Sequence, residues 1–247
     1  MPEVWENPFA NALLKIERAN KHIAEIEERV RASADGYGPS FQMDSKTGEQ
    51  FLYYSPQDET LRSDIALLVG DPVHNLHCAL DVAYREAVTR VGTVGAKTKF
   101  PVLKTRKEGE SALSKNAQIP ESSPVFSFLV DAVKPYEGGD PDILALHALD
   151  IRDKHQLLIP MLTVTGLLGV ELEHENGTFT VTDIILPRQH FYREPVPLGT
   201  KLKDHGQLAA LITFRNGTPA EGLEVIQTLR RFSVKVEEIV LRLRSMT

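Results

Sequence analysis

The chain has 247 residues, of which 42% are hydrophobic and 25% charged, with a formal net charge of −6. That is ordinary globular usage with enough residues for a sizeable core, and the acidic balance argues against a broad nucleic-acid surface, which needs a basic excess. Cys78 is the only cysteine, which excludes an intrachain disulfide and a multi-thiolate zinc site within one chain, and a reducing compartment is expected. The first residues carry neither a basic n-region nor an apolar h-region. The longest apolar stretch, 157–170, is interrupted by Pro160, Gly166 and Gly169, so neither a leader nor a membrane span is expected.

Asn7-Pro8 predicts a helix start, with Asn7 as cap and Pro8 in the first turn, where its missing N–H costs nothing. Phe9, Ala12, Ile16, Ala19, Ile23, Ile26 and Val30 then recur three and four apart, an apolar seam on one helix face. The run 34–39, rich in glycine and closed by Pro39, ends the helix, and Trp5 is expected to pack the N-terminus onto the bundle. Phe41–Met43 and Gln50–Tyr54 read as a hairpin around the turn Ser45-Lys46-Thr47-Gly48.

Leu61 to Arg90 reads as a central helix, kinked or broken at Gly70-Asp71-Pro72 because proline removes a helical hydrogen bond. Residues 92–121 read as loop, with a short strand-like Phe100–Leu103. A short helix is expected around 125–133, and a further one from Asp140-Pro141 to about Gln156. From 157 to 215 the period changes to two, predicting three to five antiparallel strands, with 187–206 as a long loop. Thr218-Pro219-Ala220-Glu221 has the form of a capping box and predicts a last helix from there to about Arg244, its stripe made by Val225, Leu229, Phe232, Val236, Ile239 and Leu243.

The expected fold is therefore a single α+β domain over 1–247. Its helical part, a bundle of four or five helices, covers 1–156 and 218–247, and a β-rich insertion forming an antiparallel sheet covers 157–217. The helix seams could also pair two copies of the chain in a homodimer.

Four short elements stand in order: Gly70-Asp71-Pro72-Val73-His74-Asn75-Leu76-His77-Cys78-Ala79-Leu80-Asp81, Phe100-Pro101-Val102, Lys134-Pro135-Tyr136 and Asp153-Lys154-His155-Gln156. Together they resemble a large family of uncharacterised bacterial proteins with a His-Asn-Leu-Arg-Ser-Ala-Leu-Asp-like helix and an Asp-Lys-His-Arg-like helix end, over about residues 8–245. The resemblance implies a fold and a cytoplasmic bacterial protein, but no activity. Two family arginines are replaced here, by His77 and Gln156, which would alter any anion binding they provide.

The residues themselves offer one polar constellation. His74, His77 and Asp81 share a face of the central helix, and His147, Asp150 and Lys154 share a face of the helix ending near Gln156, with His155 beside them. If those faces meet, ionisable groups gather in a partly buried place, where shifted pKa values mark a candidate functional site. The first reading is architectural: such groups satisfy one another and fix helix register through pairs such as Asp81–Lys154 or Asp153–His74, with a small-ligand or partner surface beside them. The second is a hydrolase. His74, Asp81, Asp153, Lys154 and His155 are its candidate catalytic residues: a histidine as base, a carboxylate to orient it, Lys154 to stabilise negative charge. A metal-dependent form would draw on His74, His77, His147 and Asp150, though the Glu-x-x-His pattern of di-iron bundles is absent. A ribonuclease of HEPN type uses an arginine and a histidine with four to six residues between them, and no Arg-x(4–6)-His occurs. Cys78, four residues from His74, reads as a buried inert thiol rather than a nucleophile. His174, His190 and His205 read as surface residues. No cofactor is indicated.

Overall fold

A computed structural model describes residues 8–35, 40–54, 59–156, 158, 160–181, 184–185, 192–204 and 206–247. Trp5, Asn7, His190, His205 and the helix-stop run 36–39 lie outside the described residues.

Helix α1 (Pro8–Asp35) carries the expected seam, and Phe9, Ala12, Ile16, Ala19, Ile23 and Ile26 are all buried. The seam lies along α2 (Glu59–Val91), the longest helix. Of the kink or break expected at Pro72, the break does not occur: α2 runs continuously through it. Ile65, Val69, Val73, Leu76, Leu80, Ala83, Ala87 and Val88 bury its inner faces, so packing on both sides holds the helix across the hydrogen bond that proline removes. The last helix, α6 (Val225–Ser245), buries Val225, Leu229, Phe232, Val236, Ile239 and Leu243 against α1 and α2. The seam residues of both terminal helices are thus buried within one chain, while Leu14 of α1 and Val234 and Leu241 of α6 stay exposed on the flanks.

Two expectations about helix ends are corrected. The stretch 92–121 holds α3 (Arg106–Ser111), which continues into a π-helical turn, Ala112–Asn116. A full capping box starts it: Thr105 Oγ1 accepts the Glu108 N–H at 3.2 Å, and Glu108 Oε2 accepts the Thr105 N–H at 3.1 Å. Conversely, Thr218–Glu221 starts no helix. Glu221 accepts the Gly217 N–H at 2.7 Å, and Gly222 turns the chain in the left-handed region at φ +74°. The carboxylate of Glu224 then caps α6 by accepting the Ile226 N–H at 3.0 Å.

Short α4 (Pro124–Ser127) runs into a second π-helical turn, Phe128–Val133, which buries Leu129, Val130 and Val133. Helix α5 (Pro141–Asp153) begins as its residues dictate. Asp140 caps the Asp142 and Ile143 amides at 3.0 and 3.2 Å, and Pro141 takes the first helical position. Ile143, Leu146 and Leu149 press α5 into the core, where it meets α2 and α6.

The strands form small antiparallel sheets. The hairpin of β1 (Ser40–Met43) and β2 (Gln50–Tyr54) turns where Asp44 Oδ1 accepts the Lys46 and Thr47 amides. Strands β3 (Pro160–Leu168) and β9 (Gln207–Phe214) pair with a register shift between Val164 and Gly166, and β6 (Ile184–Ile185) completes that sheet. Strands β4 (Val170–His174), β5 (Gly177–Val181) and β8 (Lys201–Asp204) form another. The expected loop 187–206 instead contains β8 and β7 (Tyr192–Val196), and β7 pairs with β2, setting Pro195 opposite Phe51. Both are edge strands, where proline and charge do not break a ladder. The β-rich insertion is therefore not self-contained: one of its strands completes the N-terminal hairpin.

Candidate functional site

Helices α2 and α5 do meet along their polar faces, and Asp150 is the centre of what they assemble. Its side chain is 1% exposed. His74 Nδ1 lies 2.9 Å from Oδ1, Lys154 Nζ donates to Oδ2 at 2.6 Å, and His77 Nδ1 stands 3.4 Å from Oδ2. Two further contacts run outward from this hub. His77 Nε2 is 2.9 Å from His147 Nδ1, and His74 Nε2 is 3.4 Å from the sulfur of Cys78.

The following assignment of protons fits these distances. His147 donates from Nδ1 to His77 Nε2; His77 donates from Nδ1 toward Asp150; His74 donates from Nδ1 to Asp150; and the Cys78 thiol donates to His74 Nε2. Every donor runs toward the one carboxylate. The electrostatics agree. Burial acts to raise the Asp150 pKa, but the hydrogen bonds from Lys154 and His74 and the charge near His77 outweigh it, and the net shift is downward. Burial lowers His77 most strongly, with Asp150 and Asp81 opposing, and lowers His147 with help from His77 and Lys99. Both rings are therefore neutral near pH 7, as the arrangement requires. The hydrogen bond to Asp150 raises Lys154.

The other candidates are placed differently from the expectation. Neither the Asp81–Lys154 nor the Asp153–His74 pair is the one that forms; Asp150 takes both His74 and Lys154. Asp81 Oδ1 accepts the Phe100 amide at 2.8 Å, tethering the connection after α2, while its other oxygen stands 3.8 Å from His77. Asp153 sits over Gly70: a Cβ there would lie 2.5 Å from its carboxylate oxygens, so only glycine lets the end of α5 come this close. Burial first, then the charges of Asp150 and Asp71, push the Asp153 pKa up. His155 is exposed and lines a groove with Ile151, Arg152, Gln156, Thr218 and Pro219, a space of about 580 Å³ whose lining does not include His74. Within this groove the Arg152 guanidinium donates to the Gly217 carbonyl.

The metal candidates His74, His77, His147 and Asp150 are brought together but turned on one another. The facing nitrogens of His77 and His147 share one hydrogen bond, and the Lys154 ammonium holds the position beside Asp150 where a cation would sit. Among the described residues, no group of three or more His, Cys, Asp or Glu side chains is arranged to hold a metal ion. No helix among them is long and apolar enough to cross a membrane.

One feature escaped the sequence reading, the role of Asp150 as hub, though it was within reach, since Asp150 and Lys154 stand four apart on one face. The four-residue spacing of His74 and Cys78 was legible, and the structure adds that the His74 imidazole turns its Nε2 to the sulfur.

Compared with family models, with curated proteins and with solved structures, the chain finds no match.

Proposed function

We propose that the cluster is architectural, a clamp that fixes α5 on α2, and that the protein is a binding module whose ligand or partner surface is the groove beside the clamp. The observation that carries this is the state of Asp150. It is buried to 1% exposure, and it accepts from His74 of α2 and from Lys154 at the end of α5. A buried carboxylate is tolerated only when its oxygens are satisfied, and breaking such a set leaves an uncompensated charge. The clamp holds the last turn of α5, and that turn forms one wall of the groove against 217–219. The groove offers the apolar face of Ile151 with the polar ends of His155, Gln156 and Thr218, which suits a small, partly apolar molecule or a peptide segment. The single cysteine and the family-like elements support a cytoplasmic bacterial setting for this module.

The test is thermal melting of Asp150→Asn beside Ile151→Asp. The reading expects the first to melt well below wild type and the second to melt with it while losing whatever the groove binds. Equal melting of Asp150→Asn and wild type removes the clamp.

The hydrolase reading keeps one observation in its favour: the His74 side chain is 52% exposed and oriented by a carboxylate, as a general base must be. Of its four-residue set, Asp81 accepts the Phe100 amide, Asp153 lies over Gly70, and His155 lines a groove apart from His74. Hydrolysis of a generic ester or RNA substrate that vanishes in His74→Gln would restore it.

A further inference from the structure

The clamp explains why Asp150 is buried and paired, but not why one limb of it leads outward to a sulfur. His74 is half-exposed, with its Nδ1 held by Asp150 at 2.9 Å and its Nε2 turned to the half-buried Cys78 at 3.4 Å. Helical spacing of four makes the Cys–His contact, but only the carboxylate from the neighbouring helix fixes the tautomer that leaves Nε2 free to accept a proton. Thiol, base and orienting carboxylate thus stand in the order in which an activated nucleophile needs them. Charge from three helices reaches the sulfur: Lys15 of α1 and Lys154 of α5 on the positive side, Asp150 of α5 and Asp81 of α2 on the negative side.

We propose that Cys78 is a reactive thiol, with His74 as its base and Asp150 as the positioning residue, and that it takes up soft carbon electrophiles of the α,β-unsaturated carbonyl class. The thiol proton passes to His74 Nε2 as the sulfur electron pair bonds to the β-carbon. The alkene π pair moves toward the carbonyl as an enolate, and the α-carbon then takes the proton back from His74. The sum is addition of S–H across the C=C bond, with no oxidant, reductant or leaving group. Burial dominates the resting thiol and holds it protonated, with the two lysines opposing, so the sulfur is quiet until its proton is accepted. The proposal uses the Asp150–His74 contact of the clamp but does not depend on what the groove binds.

The experiment is adduct formation with N-ethylmaleimide on the full chain, followed by intact mass. Cys78 is the only thiol, so every adduct reports on it. His74→Gln keeps a side chain that can hydrogen-bond Asp150 but cannot take a proton, and circular dichroism verifies its fold. The expected result is a rate at pH 7 lower by about tenfold or more in His74→Gln than in wild type. His74→Ala is the second variant; if it loosens the helix it exposes the sulfur and speeds the reaction, so a slower rate there cannot come from misfolding. Coincident rates for wild type and His74→Gln, both folded, overturn the proposal. That outcome leaves the clamp standing, because the clamp is read from the melting temperature of Asp150→Asn.

Discussion

At the scale of single residues, a few positions decide the packing of α5 on α2. Truncating one partner of a buried, hydrogen-bonded charge costs about 3–5 kcal/mol. Asp150→Asn, which keeps the shape but removes the charge that three donors face, is expected to lose about 3 kcal/mol in urea unfolding. Lys154 is half-exposed, so Lys154→Ala is expected to lose only about 1 kcal/mol in the same measurement, most of its charge being screened. Gly70→Ala makes a different test. Its new methyl would meet the Asp153 carboxylate, so it is expected to destabilise, and Gly70→Ala with Asp153→Ala to recover much of the loss. The residue types of this cluster were legible in the sequence, because helical spacing shows which residues share a face. Which partner each would choose was not. Asp150, Asp153 and Asp81 are chemically alike, and while the four-residue spacing gives Asp150 to Lys154, only the depth and rotation of α5 against α2 give Asp150 to His74 and Asp153 to Gly70.

At the scale of elements, long amphipathic helices were readable and short capped ones were not. The seams of α1 and α6 are periodic over many turns, so their buried residues follow directly from spacing. Helix α3 spans six residues around Gly109, too short for periodicity, yet its Thr105–Glu108 box was written in the chain. The similar pattern at Thr218–Glu221 failed because Gly222 follows it with a left-handed turn. These assignments separate experimentally: Glu224→Ala is expected to cost about 1 kcal/mol as the true cap of α6, by chemical denaturation, and more than Glu221→Ala, whose oxygen holds only a turn. Strands β7 and β8 were missed because a Pro- and charge-rich stretch reads as loop when its place at a sheet edge is unknown.

Across the whole molecule, the pH dependence of stability should carry the signature of the cluster. His77 and His147 have lowered pKa values when folded, so the unfolded chain binds protons first as the pH falls below about 6.5. Their contribution is complete above that value and is lost as the pH drops toward their folded values. Asp150 is lowered as well, so its contribution holds above the usual carboxylate range and fails in a second step below about 3.8. Asp153, raised in the fold, works the other way and takes up a proton in the folded state just above that range, softening the second step. Melting temperatures from pH 8 to 3 are expected to fall in two stages, and His147→Phe to flatten the first.

The pairing of β2 with β7 joins Gln50–Tyr54 to Tyr192–Val196, and the Gln50 side chain reinforces it, donating to the Thr200 carbonyl at 2.7 Å and accepting the Gly199 amide at 2.8 Å. During synthesis the early hairpin must therefore wait, with one row of amides and carbonyls unmatched, while well over a hundred further residues leave the ribosome. Closing so distant a contact is slow, and an open strand margin invites foreign strands in the interval. The nascent chain should thus need shielding at its beginning until its second half has emerged.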